Sequence, residues 1–383
     1  MNRRGFILQL LAIVLFCLLI VVIWQPGCGR VVEESEGAGS TTTSTTTTTS
    51  STTTSTTTTS TTTTTNGNPE LYDIAFNRDG TVGLACGSQG TVLRSSDSGA
   101  TWAVYRPADG TLDDYGDDTF YKVYSGHGVA GSDSFLNGTN GIWLLSHEDD
   151  DGWFSVGGFG APDVTATVYT NEMVGDTSYM AVCSGGKIYR STDYHDDFSP
   201  IASGTTVDLR AFTRNGNTVI VVGLDGTILR STDAGLSFDV VTTGVYPDLY
   251  FTFYSPATAS YVVLGAEGTI LTSDDGITWL AQGPVTNGVP ADVTLHNIGV
   301  TDNGYFLFGS GGTILVSTNL TSWTTIESRT TNSLNDSASG DGQIFYIVGD
   351  NLTMLKTTNG GTQWQLSEDG GATWGDPWTV TLP

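Results

Sequence analysis

Gly226-Thr-Ile-Leu-Arg-Ser-Thr-Asp-Ala-Gly-Leu-Ser-Phe238 recurs as Gly268-Thr-Ile-Leu-Thr-Ser-Asp-Asp-Gly-Ile-Thr-Trp279 and as Gly90-Thr-Val-Leu-Arg-Ser-Ser-Asp-Ser-Gly-Ala-Thr-Trp102. The shared core is Ser/Thr-x-Asp-x-Gly-x-x-Trp/Phe. Its acidic or amide position falls at Asp97, Glu148, Asp193, Asp233, Asp274, Asn319 and Asn359, at intervals of 51, 45, 40, 41, 45 and 40 residues. A period of that length, with several short strands in each unit, predicts a β-propeller.

The unit around Asp233 shows the internal order. Leu209–Thr213, Thr218–Val222, Thr227–Ser231 and Ser237–Val241 are β-rich runs separated by Gly, Asn and Asp clusters, which makes one four-stranded antiparallel blade. The 314 residues from Glu70 to the end divide into seven units of about 45. The expected fold is therefore all-β, a seven-bladed propeller. Units two, three and six depart from the motif at Glu148 and Asp150, at His195, and by one missing residue before Trp323, so six blades is the alternative. An eighth match, Ser367-Glu-Asp-Gly-Gly-Ala-Thr-Trp374, follows the seventh by ten residues. That is too close for another blade, and it reads as an extra hairpin on the last one.

The motif resembles the Asp-box, or BNR repeat, of sialidases and many other propellers. The whole unit resembles the propellers of photosystem II stability and assembly factors. The resemblance covers about 300 residues. It implies a fold more than an activity, because the box occurs on unrelated activities. It also implies that Asp97, Asp193, Asp233, Asp274, Asn319, Asn359 and the extra Asp369 are structural. Each carboxylate or amide would accept turn N–H groups, Gly would supply a positive φ, and the aromatic would pack onto the blade.

Ahead of the head, residues 1–5 carry Arg3 and Arg4 and form a cytoplasmic tip. Phe6–Trp24 is a run of 19 residues with Gln9 as its one strongly polar member, long enough to span a bilayer as a helix. Residues 25–39 are a short linker containing Pro26-Gly27-Cys28, which resembles the end of a bacterial lipoprotein signal. A signal anchor and a lipidated Cys28 both remain open, and both place the bulk of the chain outside the membrane or in the periplasm. Ser40–Thr65 contains only Ser and Thr. Such a run has nothing to bury, so it reads as a disordered stalk carrying glycosylation sites. Residues 66–383 are then the propeller, and it should be monomeric.

The chain has 40 Asp and Glu against 14 Lys and Arg, a net charge of −26. The flanking segments cancel, so the head carries all of it. That surface repels phosphate backbones and excludes nucleic acid as a partner. A sialidase would need an arginine triad and a Phe-Arg-Ile-Pro-like motif near the start; Leu71-Tyr-Asp-Ile-Ala-Phe-Asn-Arg78 has no such motif. There is no Gly-x-Ser-x-Gly elbow, and the four histidines show no metal spacing. Gly126–Gly131 matches a dinucleotide pattern without the helix that pattern needs. Cys86 and Cys183 read as small core residues in blades that are not neighbours. No cofactor is expected. Asp113, Asp114, Asp117 and Asp118, with Asp109, form an acidic cluster, as does His147–Asp151. The sharper reading of the first is a Ca²⁺ site, the plainer one a solvated surface.

One repeated cation stands out. Arg94, Arg190, Arg230 and Lys356 share one position of the third strand in units one, three, four and seven, where Thr272 and Val316 stand in units five and six. Interblade pairing and a cationic patch for an acidic peptide are the two readings. The expectation for function is a membrane-tethered, exported, non-catalytic propeller that docks or assembles a protein partner. The rival is a glycan-binding or sialidase-like glycoside-hydrolase head, with exposed aromatics such as those of Trp153–Phe159 stacking on sugars.

Overall fold

The computed structural model describes residues 67–383 apart from 107–109, 111, 128–132, 148–152, 156–167, 174–177, 193–197, 245–246, 283–288 and 340–342. Phe6–Trp24, Cys28 and the Ser/Thr run lie outside the described residues. Among the described residues no helix is long and apolar enough to cross a membrane.

Seven antiparallel sheets follow one another along the chain, each built from consecutive strands. Seven blades are therefore present, and the six-blade alternative is set aside: units two and three, despite their altered motifs, each form a four-stranded sheet. The first strands of the blades are Leu71–Phe76, Phe120–His127, Val168–Met173, Leu209–Asn215, Leu249–Ser255, Leu295–Thr301 and Leu334–Ser339. Each packs against the first strands of the blades before and after it, and the last of them against the first. These strands are the inner wall of a closed ring.

The second strands are buried throughout. Thr218–Gly223, with the sequence Thr-Val-Ile-Val-Val-Gly, is inaccessible after its first residue. Both faces of a blade are covered, so the strand reads as a continuous apolar run rather than an alternation. Seven apolar clusters fill the seven gaps between successive blades. Burial of the blade faces against each other is what holds the ring together.

Close approach explains one repeated residue. A Cβ on Gly87, Gly223 or Gly349 would sit 1.8, 2.3 or 2.0 Å from the carbonyl oxygen of Glu70, Asp208 or Ser333, just before each inner strand. Register places Cys183 at this position in blade three, since it faces Val168 as Gly223 faces Leu209. Cys183 is thus equivalent to Gly223, one residue on from Val222. Cys86 and Cys183 are both buried and free.

Among the described residues no strand is exchanged across the seam between blades seven and one. The carboxy-terminal segment acts there as a clasp. Gln363–Ser367 pairs with Trp378–Thr379, a fifth strand on blade seven. The intervening turn, with the eighth motif, reaches blade one, where Trp374 Nε1 donates to the Ala100 carbonyl at 3.1 Å. Trp378 Nε1 donates to the Glu327 carbonyl of blade six at 3.2 Å. The extra hairpin therefore touches the blades on both sides of its own.

Candidate functional site

The inner strands share a defect. Leu71 faces Gly87 and Asp73 faces Cys86, so Tyr72 has no partner of its own. The same step leaves Tyr121, Tyr169, Arg210, Tyr250, His296 and Asn335 bulged in the other six blades. A bulge re-aims a side chain that regular pairing would turn toward a neighbouring blade. Here it delivers seven equivalent side chains, one per blade, to the propeller axis. They line a cavity of about 440 Å³.

This funnel lies at the end of the ring where inner strands begin and second strands finish. The Ser-x-Asp turns join third and fourth strands and lie at the opposite end. The funnel wall is continuous on one side. Tyr72 and Tyr121, and then Tyr121 and Tyr169, place their ring centres 5.2 Å apart. The Arg210 guanidinium lies 4.0 Å from the centre of Tyr169. Tyr250 meets His296 edge-on at 6.3 Å, and His296 Nδ1 lies 3.0 Å from the Leu334 carbonyl.

A rim of carboxylates holds these groups from outside. Tyr72 donates its hydroxyl to Glu70. Tyr169 and Arg210 both donate to Asp208, at 3.0 and 3.3 Å. Tyr250 donates to Asp248 at 3.4 Å, and Asn335 Nδ2 donates to Asp350 at 2.9 Å. The other oxygens of Asp208 and Asp248 accept the Gly185 and Asp225 N–H groups of the preceding blade. Burial first, then the neighbouring carboxylates, raises the pKa values of the phenols. Tyr169 reaches about 12, with Arg210 opposing, and Tyr72 is pushed further up. Burial lowers the His296 pKa, opposed by the Leu334 carbonyl.

The floor is a buried polar stitch. Asp73 accepts Lys122 Nζ at 2.9 Å and the Val123 N–H at 2.6 Å, joining blades one and two. Asp336 accepts the Ile74 N–H at 3.3 Å and the Asn297 amide, joining blades seven, one and six. Lys122 Nζ is 4.0 Å from Asp336. Burial, and secondarily the facing Asp336 carboxylate, raises Asp73 well above the usual carboxylate range despite Lys122.

The residues singled out from sequence lie elsewhere. In the turn of blade one, Asp97 accepts the Thr101 N–H at 2.9 Å and its hydroxyl at 2.6 Å. Asp233 does the same for Ser237, Asn359 accepts the Gln363 N–H, Asn319 the Thr321 and Ser322 N–H groups, and Asp369 the Thr373 N–H. The hydroxyl and N–H donors hold Asp97 and Asp233 down at about 2. In blade five the residue that does this is Asp275, which accepts the Ile277 and Thr278 N–H groups, both at 2.8 Å. Asp274 accepts the Ser260 hydroxyl instead. This turn, like that of blade six, has one residue fewer before its aromatic than those of blades one, four and seven, so alignment back from Gly276 falls on Asp274. Asp193 lies outside the described residues.

The repeated cations share one register, facing Leu84, Met180, Ile220 and Tyr346. They do not share one use. Arg230 donates to the Asp275 carbonyl of the next blade at 3.1 Å. Arg94 lies over Tyr105 and Lys356 over Trp374, each within its own blade. The acidic loop is also differently employed. Among the described residues no group of three or more acidic, His or Cys side chains is gathered to hold a metal ion. Asp113 and Asp114 begin a short 3-10 turn, and Asp118 accepts Thr139 and Asn140 at 2.8 and 2.9 Å. Asp117 follows that turn and enters no such cluster. Trp153 is buried in the core between blades one and two, so it is not an exposed platform for sugars.

No protein-family model matches the chain, and no curated protein matches it. Solved structures do resemble it. "YCF48 bound to D1 peptide" superposes with a TM-score of 0.62 at 17% identity, over 77% of this chain and 93% of the other. YCF48 from Cyanidioschyzon merolae gives 0.61 at 16%, over 76% and 96%. At these identities the likeness shows the fold: the chain shares the seven-bladed propeller of these proteins.

Proposed function

We propose that the head is a non-catalytic docking module that receives a segment of another protein in the axial funnel. The observation that carries this reading is the ring of bulged residues. All seven blades use the same backbone irregularity on one cavity, and the side chains delivered there are four tyrosines, an arginine, a histidine and an asparagine. The residue before each of them is apolar and buried, as packing requires, so the polar and aromatic column is set apart from the core. The likeness to a propeller determined with a peptide bound supports a protein partner. The sequence resemblance to assembly-factor propellers supports it too.

The Ser-x-Asp turns are Asp-boxes on this reading and serve the fold. A glycan site is less well supported. The hydroxyls of Tyr72, Tyr169 and Tyr250 are already given to carboxylates, which leaves fewer donors for sugar oxygens. A sialidase site lacks its triad: among the described lining residues Arg210 is the one guanidinium. We further propose that residues 6–24 or a lipidated Cys28 tether the head, and that the Ser/Thr run spaces it from the membrane on the exported side. Affinity capture with the full chain, in detergent extracts of its parent membrane, tests the docking reading. The wild type is expected to retain a protein that Tyr121→Leu and Tyr250→Leu lose; equal retention by all three refutes it.

A further inference from the structure

We infer that the axial funnel selects a cationic segment of its partner, with a Lys or Arg side chain lying against the tyrosine wall. This rests on the docking reading and adds the chemistry of the partner. The wall is aromatic, and it already holds one cation: the Arg210 guanidinium stacks 4.0 Å from the centre of Tyr169. Tyr121 stands between Tyr72 and Tyr169, tilted against the first and edge-on to the second, and extends the aromatic wall toward the first blade.

The polar rim strengthens the same preference. Tyr72, Tyr169 and Tyr250 donate their hydroxyls outward to Glu70, Asp208 and Asp248. A phenol hydrogen shared with a carboxylate leaves its ring more electron-rich, and the electron-rich face is what attracts a cation. Charge points the same way. Glu70, Asp73, Asp208, Asp248, Asp336 and Asp350 surround the funnel, against Lys122 and Arg210. Both cations are engaged, Lys122 by Asp73 and Arg210 by Asp208. Even with Asp73 protonated, the balance is negative. The repeated cations Arg94, Arg230 and Lys356 cannot redress it, because they are spent on Tyr105, the Asp275 carbonyl and Trp374. A head of charge −26 also steers a basic segment toward itself and repels an acidic one.

The test uses the full chain in detergent micelles and three capped octapeptides of Gly and Ser, carrying two Arg, two citrulline or two Glu, read by fluorescence anisotropy. The Arg peptide is expected to bind about tenfold more tightly than the citrulline peptide. The Glu peptide should bind weakest. Rising salt should weaken the Arg peptide. Tyr121→Leu and Tyr250→Leu should lose the preference while keeping the wild-type melting temperature within about 2 °C. Tyr121→Phe, which keeps the aromatic face, should retain it. Equal binding of the Arg and citrulline peptides, or tighter binding of the Glu peptide, overturns the cationic inference and leaves docking in the funnel intact. Failure of all three to bind also overturns it, and the membrane capture above then decides the docking reading by itself.

Discussion

Asp73 makes the floor of the funnel testable through two substitutions of opposite consequence. Asp73→Ala removes the acceptor of the buried Val123 N–H, 2.6 Å away, and the nearer partner of Lys122. An orphaned buried donor costs about 1–3 kcal/mol, and breaking a buried ion pair about 3–5 kcal/mol. Relief of the Asp336 carboxylate offsets part of this, and Lys122 keeps that carboxylate 4.0 Å away. The expected net loss is about 2–4 kcal/mol. Asp73→Asn keeps an acceptor and removes the crowding of two carboxylates, so it should cost under about 1 kcal/mol. The pH dependence has a defined sign. Asp73 is raised in the folded state, mainly by burial. Its contribution is therefore fully present below the carboxyl's unfolded value and is lost as pH rises through its folded one. Between neutral pH and mild acid the wild type should gain stability from this group, and Asp73→Asn should lack that gain. Urea unfolding followed by tryptophan fluorescence, with circular dichroism as a second probe, measures all three proteins. Equal costs for Ala and Asn, or an Asn variant with the wild-type pH slope, would refute this account of Asp73.

Four further outcomes follow from the geometry. Gly87→Ala places a Cβ 1.8 Å from the Glu70 carbonyl and should lower stability by more than about 3 kcal/mol, seen as loss of soluble yield or a depressed melting temperature. Trp374→Ala removes the contact of the clasp with Ala100, so calorimetry should show a loss of about 1–3 kcal/mol and limited proteolysis should cut first near the carboxy terminus. Arg230→Ala should lower the melting temperature through the lost bond to the Asp275 carbonyl, by about 1 kcal/mol, whereas Arg94→Ala, which only lies over Tyr105, should cost less. Asp97 and Asp233 are held low by their turn donors, so their stabilisation is present above the ordinary carboxyl value and is lost as pH falls toward about 2; Asp97→Asn should flatten that acid limb in a thermal-shift titration.

The blades were legible because one turn chemistry recurs in register. Ser, Asp and the aromatic residue announce the third and fourth strands, and Gly223 and its equivalents end the second. The same regularity hid two things. In blade five a shorter turn moved the acceptor from Asp274 to Asp275, a difference set by counting from Ser273 rather than from the repeat interval. In blade three Cys183 replaced the glycine and looked like an ordinary core residue. The funnel was not legible from the repeated turn, because its residues lie outside that turn, at the start of the inner strands. Tyr72, Tyr121, Tyr169, Arg210, Tyr250, His296 and Asn335 each follow the first apolar residue of an inner strand. Aligning the blades there shows Tyr, Arg, His or Asn directly after a buried apolar residue in every blade, and that column is the signal. The repeated cations drew attention instead because repetition is easy to see, yet Arg230 is engaged in holding one blade to the next.

Site-directed photocross-linking tests the central claim most directly. A benzophenone amino acid replaces Tyr121 in the funnel or Ile277 on the opposite end, in the full chain within the cells that produce it, and ultraviolet light is applied. The expected result is a discrete cross-linked protein from position 121 and none from position 277. A product from position 277 alone, or identical products from both, would contradict docking in the funnel.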